Sequence, residues 1–154
     1  MNPKQITCIL ISCLFLSYES FAQIIDFSNA TIFFPEKKNV QLQKAVQVLQ
    51  EEIHKRSNLF LPVINKPSSE GKQVIAVGIE GRMDKFPETW KTVIRKLPET
   101  GIDGYKIVLF ENKTVIIAGH DERGALYGVG RLLRKMELLS GQVFVPDNLD
   151  ISST

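Results

Sequence analysis

Apolar residues recur along this 154-residue chain with two spacings, one typical of strands and one typical of helices. Residues 73–79 form an almost continuous apolar run rich in β-branched side chains, which predicts a central strand covered on both faces. Residues 105–110 and 114–118 are apolar runs joined by a short polar connection, which predicts an antiparallel hairpin. Residues 40–56 and 122–136 instead place apolar side chains at helical intervals, which predicts two amphipathic helices.

Weaker patterns complete the predicted order of elements. Short apolar runs at residues 30–34 and 59–64 indicate two further strands, and residues 142–145 indicate a last edge strand. A short helix is predicted within residues 83–96, where Pro87 limits its starting point. This order predicts an α+β fold, in which both long helices pack on one face of a mixed β-sheet.

The N-terminal segment, residues 1–22, has the three-part layout of a secretory signal peptide. Lys4 supplies a positive charge, residues 6–16 form an apolar run, and residues 20–22 end in small side chains before Gln23. An apolar run of about 11 residues is too short for a permanent membrane span, which needs roughly 20. We therefore expect an exported protein, periplasmic or secreted, whose mature chain begins at Gln23 and has no transmembrane span. The competing interpretation is a buried N-terminal strand.

Both cysteines of the chain, Cys8 and Cys13, lie inside this leader. Removal of the leader would leave no thiol for a disulfide, a thiolate metal site or a nucleophile. A competing interpretation takes residues 10–13 as a bacterial lipobox, in which Cys13 is lipidated and becomes the first residue. Under either interpretation the chain leaves the cytoplasm.

The formal net charge of +2 is nearly balanced, and the basic residues are scattered. Adjacent basic pairs at residues 37–38, 95–96 and 134–135 are typical of solvated helix faces. A nucleic-acid groove would instead require lysines and arginines clustered on one face. Binding to nucleic acid is therefore not expected.

The last predicted helix contains three glycines, Gly124, Gly128 and Gly130. Each one disfavours a helix by about 0.8–1 kcal/mol relative to alanine, so a compensating role is expected. The G-x-G-x-x-G spacing of a dinucleotide-binding turn is not met, which disfavours phosphate binding. Close packing of the helix backbone against the sheet is the predicted role.

Two adjacent carboxylates, Asp121 and Glu122, stand at the start of the same helix. Asp121 is predicted to be the N-cap, as Asn39 is for the first long helix, and Glu122 is predicted to interact with the helix dipole. The competing interpretation is a catalytic Asp–Glu pair, because glycoside hydrolysis uses two carboxylates that flank the scissile bond. Capping accounts for both residues and is the prediction.

Neither His54 nor His120 has a carboxylate or a second histidine at ligand spacing, so no metal site is predicted. No catalytic, cofactor-binding or metal-binding residue is assigned, and no cofactor is expected. Phe86, Trp90 and Tyr105 could stack on sugar rings if they were exposed, but their spacing predicts core packing.

From residue 104 onward the chain resembles the N-terminal accessory domain shared by family 20 hexosaminidases and family 67 α-glucuronidases. The resemblance is carried by Gly104-Tyr105 at the start of a strand, VIIAG at residues 115–119, and RGALYGVGRLL at residues 123–133. It implies that residues 23–146 form a hexosaminidase-type α/β sandwich that packs against a catalytic barrel and is not itself catalytic. Residues 147–154 resemble the segment leading into such a barrel.

Two hypotheses of function follow from this resemblance. The first is an exported, non-catalytic accessory domain of a glycoside hydrolase that degrades polysaccharides or glycoconjugates. Its catalytic barrel would be supplied by another chain or have been lost by truncation, and an exposed apolar patch is expected where that barrel docks. The alternative is a free-standing carbohydrate-binding module, which requires exposed, coplanar aromatic side chains such as Trp90 and Tyr105. The expected partners are a catalytic barrel domain and, under the alternative, a glycan.

Overall fold

The computed structural model of the chain describes residues 23–36, 38–67 and 71–153, so the predicted signal peptide lies outside the described residues. The described part contains three α-helices: α1 (Val40–Ser57), α2 (Glu88–Lys96) and α3 (Glu122–Lys135). Its strands are β1 (Ile24–Asp26), β2 (Thr31–Phe33), β3 (Val63–Ile64), β4 (Val74–Ile79), β5 (Tyr105–Phe110), β6 (Thr114–Gly119), β7 (Glu137–Leu139), β8 (Gln142–Pro146) and β9 (Ile151–Ser152). No helix in the described ranges is long and apolar enough to cross a bilayer.

The main sheet has six strands in the order β3-β2-β4-β6-β5-β9. The first four are parallel, whereas β5 is antiparallel to β6 and β9 is antiparallel to β5. Every residue of β4 is buried, which confirms the predicted central strand, and β5 with β6 forms the predicted hairpin. Parallel strands covered on both faces are expected to be continuously apolar, as β4 and β6 are.

The two long helices lie side by side on one face of this sheet and share its larger apolar cluster. The short helix α2 covers the other face, where Phe86, Trp90 and Ile94 pack with residues of β2, β4, β5 and β6. These positions confirm the predicted α+β fold, with a mixed sheet and both long helices on one face.

The predicted edge strand at residues 142–145 does not join the main sheet. It forms β8, which lies between β1 and β7 in a separate antiparallel sheet. The cause is local: β7 follows α3 directly, and Gly141, with a φ of +76°, turns the chain back so that β8 pairs with β7. β1 pairs with the other edge of β8.

The predicted strand at residues 59–64 is reduced to Val63 and Ile64. Gln50 of α1 donates a hydrogen bond from its side-chain amide to the Leu61 carbonyl at 2.7 Å, so this carbonyl is bound to a helix. Pro62, which follows, has no N–H group to donate to a neighbouring strand. The Pro62 carbonyl accepts the Ile32 N–H at 2.9 Å, and the ladder with β2 begins there.

The C-terminal residues of the described chain add an edge strand that the sequence pattern does not reveal. Within the segment expected to resemble a linker, Ile151 and Ser152 form β9 and pair with β5. The Ser153 N–H then donates to the Tyr105 carbonyl at 2.9 Å. Ser153 therefore lies beside the start of β5, at the edge of the main sheet that β9 forms.

Both predicted N-caps are present. The Asn39 side chain accepts a hydrogen bond from the Leu42 N–H at 3.0 Å, and the Asp121 side chain accepts one from the Gly124 N–H at 2.8 Å. Each satisfies a backbone donor that the helix itself leaves free.

The predicted close packing of the α3 glycines is correct for two of the three. A β-carbon at Gly124 would lie 2.0 Å from the Gly104 carbonyl oxygen, and one at Gly128 would lie 2.7 Å from Ile117 Cγ2. The prediction is wrong for Gly130, where the nearest atom would be 3.6 Å away on the flexible Arg134 side chain. Gly130 follows Gly128 by two residues, about 200° around the helix, so it points away from the sheet.

Candidate functional site

The carboxyl ends of β2, β3, β4 and β6 meet at one edge of the main sheet because these strands are parallel. This is the edge at which open α/β sheets commonly bind ligands. Eight polar residues gather there, and we call five of them the carboxyl-edge cluster: Glu36, Asn39, Arg82, Lys85 and Glu122. They line a crevice of about 760 Å³.

Glu122 is tied into this cluster by two donors. The Asn39 side-chain amide donates to Glu122 Oε1 at 3.0 Å, and the Arg82 guanidinium pairs with the same oxygen. The hydrogen bond from Arg82, followed by that from Asn39, lowers the pKa of Glu122. The carboxylate therefore stays ionised near neutral pH and joins the start of α3 to α1 and to the turn after β4.

Asp121 lies beside this network and faces the backbone. Besides capping Gly124, it accepts a hydrogen bond from the Asp103 N–H at 3.1 Å. The hydrogen bond from the Gly124 N–H is the largest cause that lowers the pKa of Asp121. The structure thus places Asp121 as a cap and Glu122 as an ion-pair partner, and a carboxyl with a lowered pKa is a poor proton donor near neutral pH.

Glu36 differs from these two carboxylates. Partial burial raises the pKa of Glu36, although the nearby Arg82 and Lys85 act in the opposite direction. Its Oε1 is shielded from solvent and accepts no hydrogen bond from the residues that the structure describes. No pattern in the sequence distinguishes this residue, which simply follows a short strand and a proline.

A second ion pair lies at the same edge, on the α2 side of the sheet. Lys106 of β5 is 1% exposed, and its ammonium group contacts Glu80 Oε1 at 2.6 Å. Glu80 follows β4 directly and is 30% exposed, so one end of the pair reaches water. The pair joins the turn after β4 to β5.

The two histidines do not come together. His54 near the end of α1 lies edge-on to Phe60, with ring centroids 6.1 Å apart, whereas His120 follows β6 and is exposed. Within the described ranges, no group of three histidine, cysteine or acidic side chains is arranged to hold a metal ion.

The aromatic platform required by the carbohydrate-binding alternative is not formed by the residues proposed for it. Phe86 and Trp90 are buried and meet Phe33 edge to face, with centroids 5.0 and 5.7 Å from the Phe33 ring. Tyr105 is half-buried against the larger apolar cluster. Core packing, as the spacing predicts, therefore accounts for all three.

An elongated groove of about 1110 Å³ runs between α1 and the edge strand β3. We call it the α1 groove. Apolar side chains from both elements line it together with amides and lysines: Val40, Gln43, Lys44, Gln47, Val63 and Lys66.

Several apolar side chains are exposed near β5, on the side of the main sheet that lies away from β3 and the α1 groove. Tyr127 of α3 is 49% exposed, and Leu126, which precedes it in the sequence, is also exposed. The loop before β5 lies against the first turn of α3, where Asp103 pairs with Arg123 at 2.8 Å, and Ile102 in this loop is 78% exposed. We call Ile102, Leu126 and Tyr127 the α3 flank.

Comparison with known proteins identifies relatives of this fold. The family described as "Glycosyl hydrolase family 67 N-terminus" matches residues 16–132. No curated protein matches the chain significantly. Among solved structures, CpGH84D is similar at a TM-score of 0.56 with 13% identity, over 85% of this chain and 22% of that protein. CpGH84B is similar at a TM-score of 0.53 with 14% identity, over 82% of this chain and 19% of that protein.

A third similar structure is a family GH115 4-O-methyl-α-glucuronidase, BtGH115A, with specificity for decorated arabinogalactans. Its TM-score is 0.50 and its identity 12%, over 72% of this chain and 14% of that protein. At such identities these structures show a shared fold. The chain spans no more than about a fifth of the length of any of the three.

Proposed function

The chain belongs to the glycosyl hydrolase family 67 N-terminal family, and on that premise we propose that it is an exported, non-catalytic accessory domain of a carbohydrate-active enzyme. The observation that carries the proposal is the family match over residues 16–132. An N-terminal domain of a larger glycoside hydrolase implies a catalytic partner domain, which is the expected partner here. The domain would stabilise that partner by packing against it.

The electrostatics of the acidic pair support a non-catalytic role. Glycoside hydrolysis requires one carboxylic acid that keeps its proton near neutral pH and a second carboxylate that acts as base or nucleophile. The pKa values of both Asp121 and Glu122 are lowered, and both side chains are held by hydrogen bonds that serve the fold. Neither is poised to donate a proton.

Cleavage of the predicted signal peptide before Gln23 is compatible with the contacts that Gln23 makes. The Gln23 N–H donates to Asp147 Oδ2 at 3.2 Å, and the Asp147 N–H donates to the Gln23 carbonyl at 2.9 Å. Cleavage before Gln23 would therefore leave this contact intact. We expect the intact mass of the exported protein to match a chain that begins at Gln23. A mass that includes residues 1–22 would contradict the proposal, and a lipidated chain starting at Cys13 would favour the lipobox.

The α3 flank is the surface proposed to contact the catalytic domain. Tyr105, whose carbonyl binds Ser153, also lies against Gly128 of α3: a β-carbon there would be 3.3 Å from Tyr105 Cβ. A domain joined after Ser153 would therefore emerge beside α3. Large apolar side chains that stay exposed together are typical of such interfaces.

The test uses the catalytic domain encoded at the same locus, titrated with the purified chain in a calorimeter. Tyr127→Asp is expected to weaken binding about 30-fold, corresponding to ~2 kcal/mol for a central aromatic contact. Phe60→Asp, which alters an exposed aromatic side chain beyond the far end of α1, should leave the affinity unchanged.

Equal effects of the two substitutions would rule out the α3 flank as the interface. Glycosidase activity of the chain on its own would rule out the non-catalytic proposal. A locus with no barrel-encoding frame, together with glycan binding by the isolated chain, would favour the free-standing carbohydrate-binding module, for which the α1 groove offers a site.

A further inference from the structure

We propose that the α1 groove binds a glycan chain that carries carboxylate groups. The groove lies along β3, at one edge of the main sheet, whereas the α3 flank lies toward the other edge, beside β5. Only the choice of a sugar as the ligand rests on the proposed function. The groove is otherwise independent of the contact with the catalytic domain.

The floor of the groove suits the apolar face of a sugar ring. Val40 at the start of α1 is 75% exposed and Val63 of β3 is 42% exposed, although both line the same concave surface. Ligand sites typically combine such an apolar lining with a few convergent polar groups. The C–H groups of a pyranose ring would cover these valines.

The polar groups along the groove match sugar hydroxyls. Gln41, Gln43 and Gln47 of α1 and Asn65 after β3 line it, and an amide can both donate and accept hydrogen bonds. The Gln47 amide already accepts a hydrogen bond from Lys44 Nζ at 3.1 Å and donates one to Glu51 at 2.6 Å. Gln43 and Gln47 are one helical turn apart, so their amides repeat along the groove about every 5–6 Å. This repeat is comparable to the length of one sugar residue in a chain.

The charges select an acidic glycan over a neutral one. Lys44 and Lys66 line the groove, and its lining contains no carboxylate among the described residues. The adjoining crevice of the carboxyl-edge cluster shares Val40, Gln41 and Asn65 with the groove. That crevice contributes Lys38 and Lys85 against one carboxylate that is unpaired among the described residues, Glu36, while its Glu122 is already paired with Arg82. A carboxylate on the ligand would therefore meet an excess of positive charge.

The alternative occupant of a groove beside a sheet edge is an extended peptide that adds a strand. That mode depends on a run of backbone hydrogen bonds along the edge. Here the edge strand β3 has only two residues, Val63 and Ile64. The backbone thus offers little for a peptide, whereas the side chains offer amides and ammonium groups.

The test is calorimetric titration of the purified chain with an oligogalacturonide of defined length. Lys44→Glu/Lys66→Glu is expected to weaken binding at least tenfold, and binding of the unaltered chain should fall with added salt because both lysines are exposed. The control Lys96→Glu/Lys135→Glu makes the same change in net charge at exposed positions of α2 and α3 and should bind as the unaltered chain does.

Two further measurements separate a sugar site from nonspecific attraction. Gln43→Ala should also weaken oligogalacturonide binding severalfold, and polyglutamate of similar charge should bind at least tenfold more weakly than the oligogalacturonide. The proposal is overturned by equal binding of both polyanions, by equal binding of a neutral galacto-oligosaccharide, or by equal effects of the two double substitutions. If the glycan does not bind but Tyr127→Asp still weakens the contact with the catalytic domain, this inference fails and the proposed function stands.

Discussion

Gly124→Ala is expected to destabilise the domain by about 3 kcal/mol, at the upper end of what overpacking usually costs. The added β-carbon would lie 2.0 Å from the Gly104 carbonyl oxygen, which belongs to the backbone and cannot rotate away as a side chain would. Either the first turn of α3 or the loop before β5 must move. Chemical denaturation followed by circular dichroism would measure the loss.

The loss of stability is expected to include more than the steric clash, because Gly104 and Gly124 also make hydrogen bonds. The Gly104 carbonyl accepts the His120 N–H at 2.8 Å, and the Gly124 N–H donates to the Asp121 cap at 2.8 Å. A displacement large enough to admit the methyl group would weaken both contacts. Loss of a cap alone costs about 0.5–2 kcal/mol.

Gly130→Ala is the matched control in the same helix. Its β-carbon would meet only the end of the Arg134 side chain at 3.6 Å, so the higher helix propensity of alanine should dominate. We expect a gain in stability of about 0.8–1 kcal/mol. Opposite signs for the two substitutions would support the packing argument, whereas a neutral Gly124→Ala would show that α3 is not held against the loop at residue 104.

Glu80→Ala is expected to destabilise the domain by roughly 2–3 kcal/mol because it leaves the buried ammonium group of Lys106 without its partner. This value lies at or just below the lower end of the roughly 3–5 kcal/mol cost of breaking a buried pair, because Glu80 is 30% exposed and water can approach from its side. Thermal unfolding of the variant would measure the effect.

Lys106→Met separates the charge from the volume of the side chain. Methionine fills a similar space without a charge, and replacing a buried ion pair by apolar residues is often neutral or stabilising. Combined with Glu80→Ala, Lys106→Met should recover most of the lost stability. If the double variant is as unstable as Glu80→Ala alone, Glu80 acts through some contact other than Lys106.

The sequence was sufficient to predict the helices and strands whose patterns are long or chemically distinct. The two long helices have clear apolar stripes and good caps in Asn39 and Asp121. β4, β5 and β6 are predominantly apolar strands of six residues each. In these segments, propensity, periodicity and capping all favour the same structure.

The small antiparallel sheet could not be predicted because its pattern is too short and its partners are too distant. β1 and β7 have three residues each, which cannot establish an alternation. β1 pairs with β8 from the other end of the domain, and only the tertiary structure brings them together. The prediction of residues 142–145 as an edge strand is wrong for this reason, because β8 is the central strand of the small sheet.

The candidate sites also depend on tertiary contacts that the sequence pattern does not reveal. Lys106 alternates with Ile107 in β5, as an exposed lysine on a half-buried strand would, but α2 and the residues around it cover that face. Likewise, Gln43 and Gln47 are typical of a solvated helix face until β3 is placed beside them to form a groove. Burial and concavity depend on which elements meet, and the local pattern does not contain that information.

The pairing of β1 with β8 also sets the order in which the domain can be completed during synthesis. Phe27, which follows β1, is fully buried, and its N–H donates to the Val143 carbonyl at 2.7 Å. β1 and Phe27 therefore wait for residues made more than a hundred positions later, and contacts of such long sequence separation form slowly. If the chain is exported as proposed, we expect this part of the domain to be unpaired until β8 has been synthesised.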